Sequence, residues 1–320
     1  MLSRTADHVY WLGRYAERAE NLARTLDAQY RLSLLPSEVR NDGSGWAQML
    51  QTLGLGTAYA DRHATMDPRR VIDFIAFDTG NPSSILSCLR AARENAHAVR
   101  GSISSEMWET FNSTWLEARD QAPSRFTALN VAEFVDWVKY RAHLARGVVL
   151  GSMLRDEGYN FMQIGTFLER ADGVARLLLV RLACETGATD SGPLAPGYYP
   201  WSMVLRALSA FEIFRRVSRD SVRPRHVVEF VVFRKDVPRS IYRSANLVYE
   251  NLQAVANAQS GETERRAGLL HAELRFGTLD TLAPRGIEPF LNELLARSAD
   301  LSDRIGRDFL GHVARGSTPS

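Results

Sequence analysis

The sequence predicts an all-α fold, a helical bundle built from two tandem repeats related by a pseudo-two-fold axis. Three observations carry that expectation. Apolar residues recur at the 3.6-residue period of a helix over long stretches, a motif near the start of the chain returns near its middle, and no segment offers the several partner strands that a stable sheet requires. The composition agrees. Of 320 residues 45% are hydrophobic and 24% charged, enough apolar side chains for a full core.

The repetition sets the domain organisation. Leu12-Gly-Arg-Tyr-Ala-Glu-Arg-Ala-Glu-Asn-Leu-Ala-Arg24 recurs 152 positions on as Ile164-Gly-Thr-Phe-Leu-Glu-Arg-Ala-Asp-Gly-Val-Ala-Arg176. Trp46, Leu50 and Leu53 match Trp201, Leu205 and Leu208 at an offset of 155. Ile72-Asp-Phe-Ile-Ala-Phe77 matches Val228-Glu-Phe-Val-Val-Phe233 at 156, and the register then runs on without a gap from Pro82, Ser84, Ile85, Glu94 and Asn95 to Pro238, Ser240, Ile241, Glu250 and Asn251. Matches in one order with so little drift read as a tandem duplication. Residues 1–155 form the first helical repeat and 156–320 the second, packed as one compact domain.

The elements follow in order. Apolar side chains at 9, 12, 15, 16, 19, 22, 23 and 26 make a helical stripe, repeated by Phe161, Ile164, Phe167, Leu168, Ala171, Val174, Ala175 and Leu178. A second helix starts near Trp46 and near Trp201. The blocks 71–77 and 227–233 read as short buried helices. Asn81-Pro82 suits an N-cap followed by proline at the first helical position, opening a long helix that runs beyond Arg100, and Asp236-Val237-Pro238 plays the same part in the second copy. Arg100-Gly-Ser-Ile-Ser-Ser-Glu-Met-Trp-Glu109 breaks that helix and restarts it, with Ser102, Ser104 or Ser105 as caps or as part of an anion-holding helix start. A further helix covers Val131–Arg155, with its counterpart near Glu288–Phe309. Loops fall at Pro36–Gly45, Gly54–Pro68, Gly187–Pro200 and Thr278–Pro289.

Several function classes drop out. The net charge of +2, from 39 basic and 37 acidic residues, gives no overall field towards nucleic acid or an anionic bilayer. Two cysteines, Cys88 and Cys184, build neither a disulfide framework nor a four-thiolate zinc site. No glycine-rich phosphate loop ending in Gly-Lys occurs, and no apolar run approaches the ~20 residues of a membrane span. The opening residues turn charged before any apolar stretch, so cytoplasm is the expected location. No cofactor is implied. All but two of the basic residues, Lys139 and Lys235, are arginines, whose planar fork suits carboxylate and phosphate.

At about 100° per residue, Gly13, Glu17, Glu20 and Arg24 fall within one narrow arc of the first helix, nearly opposite its apolar stripe, as do Gly165, Glu169, Asp172 and Arg176 in the second copy. Two readings stand open. One is a solvated face laced by Glu20–Arg24 and Asp172–Arg176 pairs. The other is a ligand-facing cleft, favoured because glycine inside a helix costs about 1 kcal/mol, yet both copies carry one at the equivalent place. Elsewhere, Glu94-Asn-Ala-His97 has the spacing of half a carboxylate-bridged dinuclear metal site, but Gln253 stands where the second histidine is required, so metal binding is not expected. The other histidines lack ligand spacing, and Cys88 reads as packing.

The blocks Met1-Leu-Ser-Arg-Thr-Ala-Asp7, Tyr10-Trp-Leu-Gly-Arg-Tyr-Ala-Glu-Arg-Ala-Glu-Asn21, Arg93-Glu-Asn95, Ser104-Ser-Glu-Met-Trp-Glu109 and Leu154-Arg-Asp-Glu-Gly158 resemble the bacterial alpha-E domain family over nearly the whole length. The resemblance implies a helical protein encoded beside, or fused to, a circularly permuted ATP-grasp ligase, with a transglutaminase-like peptidase nearby. On the family pattern Arg4, Asp7, Gly13, Arg14, Glu17, Arg18 and Glu20 are motif positions of the first block, and Asp156, Gly165, Glu169, Arg170 and Asp172 those of the second. Thr166 departs from the usual Gly-Arg pair, which puts a symmetric pair of arginines at 14 and 166 in doubt.

The function expected from these lines is that of a non-ATP-binding helical partner of an ATP-grasp amide ligase. It would bind a peptide, amino-acid or anionic ligand in a Glu/Arg-lined cleft between the repeats. Arg14, Arg18 and Arg170 would pair with carboxylate or phosphate, and Glu17 and Glu169 would fix those arginines or receive an amine. Glu94, Asn95 and Arg100 on the long helix join them as candidate binding residues. The alternatives are an enzyme of amide-bond or peptide chemistry, with Glu17 or Glu169 as catalytic group and Glu94 and His97 as candidate metal ligands, or a structural protein forming homo-oligomers. No nucleic-acid or membrane partner is expected.

Overall fold

The computed structural model describes residues 1–34, 44–120, 131–183, 198–218, 222–282 and 286–311, and these are helical, with no strand among them. The helices are α1 (Ser3–Ser33), α2 (Ser44–Thr52), α3 (Gly56–Ala60), α4 (Pro68–Ala76), α5 (Ile85–Ala98), α6 (Ser105–Asp120), α7 (Val131–Ser152) and α8 (Glu157–Ala183). They continue as α9 (Tyr198–Ala207), α10 (Phe211–Val217), α11 (Pro224–Phe233), α12 (Ile241–Ala254), α13 (Gly261–Phe276), α14 (Leu279–Leu282) and α15 (Ile287–Asp308). Cys184, His312 and nearly all of the loops expected at Pro36–Gly45 and Gly187–Pro200 lie outside the described residues.

The long helices α1 and α8 cross at the centre. α5 and α7 pack on α1, while α12 and α15 pack on α8. The apolar stripe of α1 is buried as its periodicity requires, through Val9, Leu12, Ala19, Leu22, Ala23 and Leu26. Blocks 71–77 and 227–233 are the short buried helices α4 and α11, each opened by a proline at its first position, and Asp67 caps α4 by accepting from the Arg69 N–H at 2.9 Å.

The expected start of α5 is corrected. Asn81 does not cap it. Its side-chain amide donates to the Phe74 carbonyl and its oxygen accepts from the Ser83 N–H, closing a turn. Ser84 is the N-cap, accepting from the Ser87 N–H at 3.1 Å, and Ser240 does the same for α12 with Arg243 at 3.0 Å. The long helix ends at Ala98 rather than beyond Arg100. Ser104 caps α6 through the Met107 N–H at 3.1 Å. The loops at 54–68 and 278–289 each hold a short helix, α3 and α14.

What fixes the centre is the meeting of two glycines. A Cβ on Gly13 would run into the Met162 carbonyl oxygen and the Thr166 hydroxyl, and one on Gly165 would strike the Tyr10 carbonyl. Backbone touches backbone at this crossing, which explains why both helices accept a glycine. Gly173, further along α8, sits equally hard against the Asn21 side chain.

Gly13→Ala and Gly165→Ala are each expected to lower stability by about 1–3 kcal/mol, although alanine is the better helix former. The urea unfolding midpoint checks this, and a midpoint that stays or rises would mean that the helices do not meet so closely.

Candidate functional site

One helical turn beyond the glycine contact, the arc of α1 that its periodicity leaves polar is buried. Glu17, Glu20 and Arg24 are 3%, 0% and 3% exposed. The solvated-face reading is therefore corrected: α8 covers this arc, helped by α7, α9 and the start of α12. A carboxylate this deep must be paired, since an isolated buried charge costs far more than any helix-surface interaction returns.

The pairing is a cross-stitch. Arg170 of α8 grips Glu17 of α1 with Nε at 2.9 Å and Nη2 at 2.7 Å. Arg18 of α1 grips Glu169 of α8 with Nε at 2.5 Å and Nη2 at 2.9 Å. Each Glu-Arg dipeptide thus gives its acid to the other helix's arginine. Arg14 adds a second donor to Glu169 at 2.7 Å, and it also binds the Tyr10 hydroxyl at 3.1 Å and the Ser302 hydroxyl at 2.7 Å. Asp172 lies 3.5 Å from Arg14, and Arg176 instead donates to the Thr52 carbonyl at 2.7 Å.

Glu17 and Glu20 draw in arginines from outside the motif. Arg239, just before α12, reaches Glu17 at 3.0 Å and also pairs with Glu20. Arg146 of α7 pairs with Glu20 and lies 3.4 Å from Glu17. Arg24 holds Glu20 at 2.7 Å and donates to the Ala207 carbonyl at 2.6 Å, closing the end of α9. Four guanidinium groups, Arg24, Arg146, Arg170 and Arg239, therefore surround two carboxylates.

The electrostatics follow from this count. Burial alone would raise the Glu17 pKa, but Arg170 and Arg239 outweigh it and bring it down to about 2. Burial is likewise outweighed at Glu20, by Arg239, Arg146 and Arg24, and at Glu169, by Arg14 and Arg18, so both sit below the ordinary carboxylate range. Both shifts run opposite to the raised pKa that a carboxylate general base at neutral pH requires. Asp172 goes the other way: burial prevails over Arg14 and lifts it to about 6. Arg239, desolvated and crowded by Arg170 and Arg24, falls to about 10 despite Glu17 and Glu20. Cys88 is buried, which pushes its thiol up to about 12 and fits a packing role.

A cavity of about 60 Å³ opens beside Glu17 and Glu20, several times the roughly 10–15 Å³ that one water needs. Gly13, Thr166, Arg146 and Arg170 line it with the two glutamates, and Phe111, Val149, Met162 and Phe167 supply apolar wall. Arg170 spends Nε and Nη2 on Glu17, so its Nη1 edge has no acceptor among the described residues.

The remaining sequence candidates do not join this centre. Arg4 is exposed and Asp7 half-buried near the start of α1. Asp156 caps α8 through the Tyr159 N–H at 3.1 Å. Glu94 is exposed and pairs with Arg93, Asn95 bonds His8 at 2.9 Å, and Arg100 and His97 lie against Trp108. Among the described residues no three His, Cys, Asp or Glu side chains gather as a metal site. Arg146 and Arg239 escaped the sequence reading. Neither lies in the repeated motif, and Ser83 stands where the first copy would match Arg239, so periodicity held no sign of them.

A family model described as "a predicted alpha-helical domain with a conserved ER motif" matches residues 1–310. The chain belongs to the alpha-E family. Of its three Glu-Arg dipeptides, 17–18 and 169–170 form the cross-stitch, while Glu264-Arg265 lies on α13 away from it. The alpha-E chain is also 24% identical over 313 residues to uncharacterised proteins of Mycobacterium bovis and of two Mycobacterium tuberculosis strains. Those alignments cover 92% of this chain and 35% of each relative, so the chain spans about a third of their length. No solved structure matches it. Among the described residues no helix is long and apolar enough to cross a membrane.

Two outcomes are expected. Arg170→Met, which takes the two-pronged partner from buried Glu17 and leaves it Arg239, should cost about 3–5 kcal/mol in chemical denaturation, and the paired change with Glu17→Gln should recover part of that loss. The pH dependence separates the acids. Glu17, held low, contributes stability that is lost as pH falls from about 4.5 towards 2; Asp172, held high, makes stability decline as pH rises from about 4 to 6. Unfolding midpoints of Asp172→Asn should therefore gain on the parent between pH 4 and 7, and a constant difference across that range would refute the assignment.

Proposed function

We propose that this alpha-E chain is a helical, non-ATP-binding partner of a circularly permuted ATP-grasp amide ligase, in a system that also includes a transglutaminase-like peptidase. It holds the carboxylate of an amino acid or peptide at the cavity beside Glu17 and Glu20. The observation that carries this reading is the excess of guanidinium over carboxylate in the cluster beside that cavity, four arginines to Glu17 and Glu20, with Arg146 and Arg170 of the four lining it. A carboxylate or phosphate placed there meets charge-assisted donors, and the apolar wall suits a small side chain. The depressed pKa values of Glu17 and Glu169 favour binding over catalysis by the alpha-E chain itself. Cytoplasm is the compartment this role implies.

The same reading takes the chain as two repeats, 1–155 and 156–320, about a pseudo-two-fold axis. Helix lengths support it: α5 and α12 have 14 residues each, α6 and α13 have 16, and α7 and α15 have 22. So does the reciprocal exchange of Glu17–Arg170 for Glu169–Arg18.

The test is reconstitution. The ligase is expected to co-purify with this chain at micromolar concentration and to lose activity when it is omitted. Arg146→Ala, which leaves Glu20 with Arg24 and Arg239, should keep the melting temperature while weakening substrate use about tenfold or more. No complex, with ligase activity indifferent to this protein, would remove the proposal.

A further inference from the structure

α7 carries a face that nothing in the described chain accounts for. Tyr140, Leu144, Gly147 and Gly151 fall within roughly 60° of one another at 100° per residue, and all four are exposed. Tyr140 is 67% exposed and Leu144 39%, and Leu150 flanks the stripe at 54%. α15, a helix of the same 22 residues, shows solvent a polar face instead, with Glu288, Asn292, Glu293, Asp303 and Arg307 exposed. An apolar stripe of this kind marks a contact surface.

The two glycines sharpen the point. Each costs about 1 kcal/mol in a helix interior relative to alanine. At Gly13 and Gly165 that cost has its reason in the touching backbones, but a Cβ added at Gly147 or Gly151 meets nothing within 4 Å among the described residues. Glycines four apart on a helix let another helix approach closely. No helix of the described residues takes that place.

We infer that the occupant is a second copy of this chain, with α7 packed antiparallel on α7 about a two-fold axis passing between Ala145 and Arg146. In that register Leu144 faces Gly147 of the partner subunit and Tyr140 faces Gly151 of the partner subunit, so each bulky side chain meets a hollow. The contact is self-complementary, as a two-fold interface must be. A parallel arrangement would set Tyr140 on Tyr140 of the partner subunit and leave glycine against glycine. Charge agrees with the antiparallel sense: Asp136 near the start of α7, which pairs with Lys139 at 2.6 Å and stays more than half exposed, comes opposite exposed Arg155 of the partner subunit, just past its end.

Light scattering on the full chain tests this. A mass of twice 35.9 kDa is expected at concentrations up to about 100 µM, above the dissociation constant of a weak specific dimer. Gly147→Leu with Gly151→Leu should give a monomer whose unfolding midpoint, read at low concentration, is no lower than the parent's, because the space is open and leucine is the better helix former. Mixing Leu144→Cys chains with Gly147→Cys chains should produce a disulfide-linked dimer under mild oxidation. A monomeric parent at 100 µM, a dimer untouched by the leucine pair, or an absence of the cross-link overturns the inference. So does a monomer whose stripe variants lose the ligase, which would make the ligase the occupant.

Discussion

The contact between two bare stretches of backbone, at Gly13 and Gly165, governs the rest of the molecule. Because α1 and α8 touch there, the residues one turn on are carried out of reach of water with their charges intact. Those charges cannot be left alone, and the nearest partners are on the facing helix. Neighbouring residues on a helix point about 100° apart, so Glu17 cannot turn to Arg18 while both lean on α8. It turns to Arg170, and Glu169 turns to Arg18 and Arg14. A Glu-Arg dipeptide on each of two crossing helices is a device for sewing them together in one register.

Such a device is costly as a source of stability. Desolvating a carboxylate and a guanidinium absorbs most of what their attraction returns, and an apolar pair of equal volume frequently does as well. Its value lies in specificity, since any slip of α1 along α8 leaves a buried charge unpaired. That explains the bidentate geometry of Arg170 and Arg18, but it does not explain why further arginines converge on Glu17 and Glu20. A purely structural lock needs charge balance. Arg146 and Arg239 take the site past balance, and Arg239 bears the strain through its lowered pKa.

Much of the fold was legible because helix periodicity is a local property. The stripe at 9, 12, 19, 22 and 26 and the short blocks at 72 and 228 needed only the 3.6-residue period and an absence of partner strands. The start of α5 was misplaced because Asn81-Pro82 and Ser84 both carry capping chemistry, and the choice fell to a distant acceptor, the Phe74 carbonyl, which only the folded chain reveals. The polar arc of α1 was legible as an arc but not as a buried one. Whether a charged face is wet depends on what packs there, and the glycine at position 13 was the single local hint. Arg146 and Arg239 carried no hint, being brought in by helices more than a hundred residues away in sequence.

The departure at Thr166 ties these points together. On the tandem-repeat reading, Thr166 stands where the first copy has Arg14. Arg14 fills its side of the crossing completely, bonding Glu169, the Tyr10 hydroxyl and the Ser302 hydroxyl. Threonine is too short to do the same on the other side, and there the cavity opens, with the Thr166 side chain on its wall. The missing charge is then more than replaced, by Arg146 from α7, which lines the cavity, and by Arg239 from the start of α12, buried behind the two glutamates. A lock closed on both sides would have no room for a ligand; this one is closed on the Glu169 side and open on the Glu17 side. The asymmetry creates the space, which Arg146 and Arg170 line beside Glu17 and Glu20, and α7, which supplies Arg146 from one flank, turns its exposed stripe outward on the other.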